Sequence, residues 1–222
     1  MSDIVTKQAR APLSLAVVIG GKLAGPPTPT KILKADGASA EASANKVFDS
    51  DQSEVWLTYD LYYSSLSFVG WLGDEYGPAF SDLVRADTHR MAYVWLMWDS
   101  GSSGLFYTLY LEGTSQNESA SGALADNWQT IEMHYSSGNQ GHLYIDGSLL
   151  VTTGVGSSDL INSIKVGCIQ GDLLVNDQVY IRNVKVGTTR GASDLFADDF
   201  SSGDLSNWSS TSGSVSVVDD PF

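Results

Sequence analysis

The chain has a single cysteine, Cys168, among its 222 residues. No intrachain disulfide can form, and a lone thiol inside the apolar stretch 164–169 reads as a buried, inert side chain. Long hydrophobic runs are missing as well. Residues 13–20 form the only continuous apolar run near the start, far short of the ~20 residues that a spanning helix needs. Positive charge is scarce: 12 Lys and Arg stand against 26 Asp and Glu, a formal net charge of -14. Such a surface repels phosphate backbones and anionic lipid, which argues against nucleic-acid and membrane partners. It suits solubility, Ca²⁺ attraction or the outside of a particle. The three histidines, His89, His134 and His142, lack metal-ligand spacing. Helical periodicity is nearly absent. No Ser-His-Asp order, phosphate loop or dinucleotide fingerprint occurs, so no catalytic residue is assigned.

What the sequence does contain is short strands between Gly, Ser, Asp and Asn turns. Residues 54–63 alternate Val55, Leu57, Tyr59 and Leu61 with Trp56, Thr58, Asp60 and Tyr62. Residues 91–98 and 105–111 are apolar on both faces, and 128–135 alternate again. Residues 141–146 lead into Gly147, an Asp-Gly hairpin signal. Strands at 149–152, 164–168 and 179–186 complete the series, and 69–89 read as a long loop carrying Trp71, Tyr76 and Phe80. The length and pattern predict one all-β sandwich. Residues 1–29 read as an arm. Pro26, Pro27 and Pro29 make its end a stiff, extended spacer. Leu13, Leu15, Val17, Val18 and Ile19 supply an apolar plug or an added strand, laid on the chain's own domain or on a partner. Asp3 lies in what would be the basic region of an export signal and no small-residue cleavage pattern follows, so the arm is expected to be retained.

The last segment reads like the beginning of a domain. Asp198-Asp199-Phe200-Ser201-Ser202-Gly203-Asp204-Leu205-Ser206-Asn207-Trp208, followed by alternation over 215–218, resembles the opening of concanavalin A-like jelly rolls, the superfamily of legume lectins, laminin G-like modules and many β-glucanases. Asn127-Trp128 with the alternation after it, the Leu143-Tyr144-Ile145-Asp146-Gly147 hairpin and the run 179–186 extend the resemblance over residues 30–222. In that superfamily a strand like residues 31–37 would follow the opening, but here it lies near the start, so the strand order looks circularly permuted. The resemblance implies a two-sheet antiparallel jelly roll. Residues 198–222 then supply the opening strands, to their own sandwich or to a neighbour's. Glucanases of this kind place carboxylates two apart as Glu-x-Asp-x-Glu. That motif is absent, and Glu132-Met133-His134 is its nearest approach, read as the polar face of a strand. The Tyr-x-Lys-x-Gly-x-Tyr motif of the lyase branch is absent, and its Gln-x-His pattern occurs once, as Gln140-Gly141-His142. Many relatives hold one structural Ca²⁺, which marks Asp198, Asp199, Asp219 and Asp220 as candidate ligands. Arg182-Asn183 stands where relatives often carry an acid.

Trp56, Tyr62, Trp95, Trp98, Tyr107 and Tyr110 are more large aromatics than one core takes up, and Trp56, Tyr62, Trp71, Trp95, Trp98 and Tyr110 are the candidate contacts for a sugar or a partner. Loop cover, a protein interface or stacking on sugar would account for them. The expectation is a non-catalytic structural or adhesive subunit of a larger, homo-oligomeric assembly. The resemblance in style is to bacteriophage capsid-decoration and tail or fibre proteins, located on the virion surface or in another extracellular assembly. A carbohydrate-binding module is the alternative, and a divergent polysaccharide lyase or glycoside hydrolase the second alternative.

Overall fold

Alternation decides which residues meet the core. In the computed structural model Val55, Leu57, Tyr59 and Leu61 are fully buried while Trp56, Thr58 and Asp60 face outward. The structure describes residues 31–36, 41–64, 69–71, 74–99, 104–114, 118–121, 123, 125–169 and 178–222. The arm, with Leu13, Leu15, Val17, Val18 and Ile19, lies outside the described residues. Among the described residues there are strands and no helix, and they form two antiparallel sheets.

The first sheet runs β11 (Ser148–Val155), β10 (Gln140–Ile145), β9 (Gln129–Ser136), β3 (Glu54–Tyr63), β13 (Gln178–Gly187), β1 (Lys31–Asp36) and β16 (Ser214–Asp219), with β14 (Phe196–Asp198) also on β13. The second runs β15 (Ser210–Ser212), β2 (Ala42–Gln52), β12 (Ile161–Ile169), β5 (Asp74–Val84), β6 (Arg90–Asp99), β7 (Gly104–Leu111) and β8 (Glu118–Ser121), with β4 (Val69–Trp71) on β5. Aliphatic and aromatic side chains from both inner faces make one core, including Leu57, Tyr59, Phe80, Leu96, Tyr107, Ile131, Met133 and Ile164. Cys168 is buried in it.

Two segments differ from the sequence reading. Residues 69–89 are mostly strand rather than loop, because β5 fills the centre of the second sheet between β12 and β6. Gly77-Pro78 disguises it. The register of β5 on β6 shifts between Tyr76 and Ala79, and a bulge is where a strand tolerates proline. β2 carries little sequence signal, since ASANKVFDSDQ is half polar, yet it pairs with β12 over most of its length.

The C-terminal segment joins both layers. β14 pairs with β13 and β16 with β1 in the first sheet, while β15 pairs with β2 in the second. Phe200 is fully buried and Trp208 nearly so, their rings parallel with centroids 6.2 Å apart. The indole of Trp208 donates to Asp198 at 2.8 Å. Lys31 at the start of β1 stands opposite Asp219 at the end of β16, so the first and last described strands lie side by side.

Candidate functional site

Antiparallel register turns single positions on six strands into one row across the outer face of the second sheet. Ser210 on β15 is opposite Asn45 on β2, Asn45 opposite Lys165 on β12, and Lys165 opposite Asp82 on β5. Asp82 is opposite Tyr93 on β6, and Tyr93 opposite Tyr110 on β7. The two tyrosine rings stack with centroids 4.5 Å apart and planes 19° from parallel. Trp95, two residues further along the same face, meets Tyr93 edge-on at 5.5 Å. Arg90 lays its guanidinium 3.8 Å over the Tyr93 ring and donates to Asp82 at 2.6 Å.

The charged end of this row borders a groove of about 360 Å³ lined by Glu41, Asn45, Asp82, Arg85, Arg90 and Lys165, among others. Asp82 is only 1% exposed. Burial pushes its carboxyl up to about 6, against the pull of Arg90. Lys165 donates to Glu41 at 3.0 Å. Burial alone would raise Glu41, but the Ser43 hydroxyl and Lys165 outweigh it and hold the carboxyl below its ordinary value. At the aromatic end the Tyr110 hydroxyl donates to Glu112, which pushes the phenol up to about 12. The buried Oδ1 of Asn45 accepts no hydrogen bond from the described residues. An acceptor left so at a groove wall suits a hydroxyl or a water.

The aromatic residues singled out from sequence do not form one surface. Trp95 and Tyr110 lie on the outer face of the second sheet. Trp56 and Tyr62 lie on the outer face of the first, on the far side of the core. Trp56 stacks on His134 at 4.1 Å, and Tyr62 packs among Trp128, Tyr180 and Phe222. The side chains of Trp71 and Trp98 lie outside the described residues, although their backbones belong to β4 and β6. Tyr107, by contrast, is a core residue.

Glu132 and His134 do share an outward face, as their spacing requires. Arg190 grips Glu132 with two hydrogen bonds of 3.0 and 2.7 Å, and Glu54 takes the Nε2 of His134 at 2.6 Å. The four aspartates fall in two places. Asp198 accepts from the Phe200 amide and the Trp208 indole, and Asp199 from the Ser201 amide. Asp219 accepts from Lys31 at 2.5 Å, and Asp220 from Arg182 at 2.9 Å. Arg182 also reaches Asp60 at 3.2 Å, so the cation expected at this point of β13 gathers carboxylates around itself. Among the described residues no group of three or more His, Cys, Asp or Glu is placed to hold a metal ion.

No known family profile and no curated protein matches the sequence. Solved structures do match. The native heptameric SAP-like pentraxin from Limulus polyphemus aligns over 86% of this chain and 96% of its own, at 9% identity and TM-score 0.57. Domains LG4-5 of the mouse laminin alpha1 chain align over 87% of this chain and 49% of that one, at 14% identity and TM-score 0.50. The alginate lyase AlyC3 aligns over 70% of this chain and 74% of its own, at 9% identity and TM-score 0.50. The fold is a concanavalin A-like jelly roll. At such identities the likeness concerns the jelly roll itself, not the chemistry on its faces.

Asn45, Asp82, Arg90, Tyr93 and Lys165 were not singled out from the sequence. Asp82 had a signal: a lone carboxylate inside the apolar run Phe80–Val84. Tyr93, Trp95 and Met97 share one parity in the 91–98 run, the parity opposite to the fully buried Val94 and Leu96. Nothing local marks Asn45 or Lys165, because only cross-strand register brings them to the row.

Proposed function

We propose that this jelly roll is a non-catalytic adhesive module that binds glycan along the Asn45-to-Tyr110 row of the second sheet. The observation that carries the reading is the stacked Tyr93–Tyr110 pair, with Trp95 beside it, continuous through Arg90 with a polar groove. Aromatic faces beside a few fixed polar groups are what an oligosaccharide requires, since its rings offer apolar C–H faces and its rims hydroxyls. The groove sets Arg90 and Lys165 against Asp82 and Glu41, while Arg85 is held by Asp87 and Asp159.

Acid–base catalysis has little support in this arrangement. Glu132 and His134 lie on the other sheet and are held by Arg190 and Glu54. The setting we infer is a larger extracellular assembly, a bacteriophage capsid or tail among them. It is supported by the acidity, the aromatic content and the proline-rich arm of the sequence, and multimers in light scattering would bear on it. Calorimetric titration with acidic and neutral oligosaccharides tests the binding. Tyr93→Ala is expected to weaken the best ligand about tenfold or more, the loss of one good stacking contact. Unchanged affinity in Tyr93→Ala and Arg90→Ala, with folding intact by circular dichroism, would sink this reading. Chain cleavage of the same sugars would overturn its non-catalytic half.

A further inference from the structure

On the outer face of the first sheet, His134 of β9 stands directly opposite His142 of β10. Their Nδ1 atoms are 2.9 Å apart and their ring centroids 5.2 Å, with planes 17° from parallel. The difference between the two distances is about two ring radii. The nitrogens therefore lie on the line joining the ring centres and point at each other, the geometry of one hydrogen bond with one proton between them. The Nε2 of His134 is 2.6 Å from Glu54, a carboxylate that can only accept while ionised, so this nitrogen carries a proton.

These contacts limit the charge the pair can hold. With no added proton, His134 is protonated at Nε2, His142 at Nδ1, and the bond between them stands. With one added proton the bond still stands, whichever ring carries the charge. With two, both Nδ1 atoms are donors and the bond is lost. The surroundings point the same way. From β3 the pair meets Glu54 and the Trp56 ring, and from β10 Tyr144. Glu132 of β9 is neutralised by Arg190, which lies over Tyr144. β11 offers Thr152 opposite His142 and has no titratable side chain. Among the described residues around the pair, Glu54 is the one carboxylate not neutralised by an Arg or Lys, and it balances one imidazolium and not two.

We propose that His134 and His142 form a proton-controlled latch between β9 and β10, closed while the pair carries at most one added proton and opened by the second. Opening frees the His142 ring, adds one positive charge to this face, and leaves His134 held by Glu54 against Trp56. Burial and the neighbouring His134 both push His142 below its ordinary value, in keeping with a second proton that enters reluctantly.

Histidine-selective NMR of the full chain from pH 8 to 4.5 tests the latch. The expected result is that His134 and His142 respond together in two steps about one pH unit or more apart. In His142→Gln, His134 is expected to titrate in a single step. In Glu54→Gln the first step is expected to fall by about one unit. Independent single steps for His134 and His142 in the wild type would overturn the proposal, and that measurement needs no variant to fold.

Discussion

A carboxylate at the middle of a sheet is costly unless something covers it. Asp82 is such a group, and Arg90 covers it while resting on Tyr93. The carboxyl still ends up near 6, above its ordinary value, so the folded protein binds a proton there more readily than the unfolded chain. The associated stability is fully present below the ordinary aspartate range and is lost as pH rises through about 6. Wild type should therefore gain on Asp82→Asn as pH falls from 7 to 4, by about 1–3 kcal/mol, because the variant has no proton to take up. Chemical denaturation of both proteins across that range checks it, and a gap that widens as pH rises toward 7 in favour of wild type contradicts it. The same residue shows what sequence could offer at this scale. A charge inside an apolar run is visible. That Lys165 and Tyr93 flank it is not, because they come from strands 83 and 11 positions away in sequence and meet it only through register.

Turns and close strand approaches explain which elements were legible. The Asp146-Gly147 hairpin could be read because both positions take φ values of 50° and 79°, the left-handed pair that a two-residue turn demands. β5 could not, since its proline sits at a bulge that only the neighbouring strand reveals. β2 could not either, because its polar residues are neighbours of the groove and of β15 rather than signs of a loop. Two glycines give opposite forecasts. At Gly147 an added Cβ meets nothing within 4 Å, so Gly147→Ala is expected to cost only the left-handed strain, about 1 kcal/mol. At Gly167 on β12, φ is 145° and an added Cβ would fall 2.3 Å from the Ala42 carbonyl oxygen on β2. That atom is backbone, so Gly167→Ala is expected to cost about 3 kcal/mol or more, or to part β2 from β12. Urea melts of the two variants measure the contrast, and equal losses would show that β2 yields easily.

At the scale of the molecule, the C-terminal segment is the element that crosses between layers. It leaves β13 of the first sheet as β14, sends Phe200 and Trp208 into the common core, adds β15 to the second sheet, and returns as β16 to β1. The sequence showed the likeness of this segment to a domain's opening in the run from Asp198 to Trp208, and the structure adds that Asp198 accepts from the Phe200 amide and the Trp208 indole. It did not show where the segment docks, because that depends on free edges at β1 and β2 that no local pattern announces. A segment so placed belongs to the global fold and not to an appendage. Phe200→Ala removes a fully buried ring, and the expected loss is about 3–5 kcal/mol, or roughly 6–20 °C in Tm for a chain of this size. The Trp208 indole N–H resonance, followed by NMR, and far-ultraviolet circular dichroism should shift together in that variant, through one cooperative transition. If Trp208 is released at lower urea while the β signal keeps its wild-type midpoint, the segment is a separate unit, and the two sheets are tied by something other than the tail.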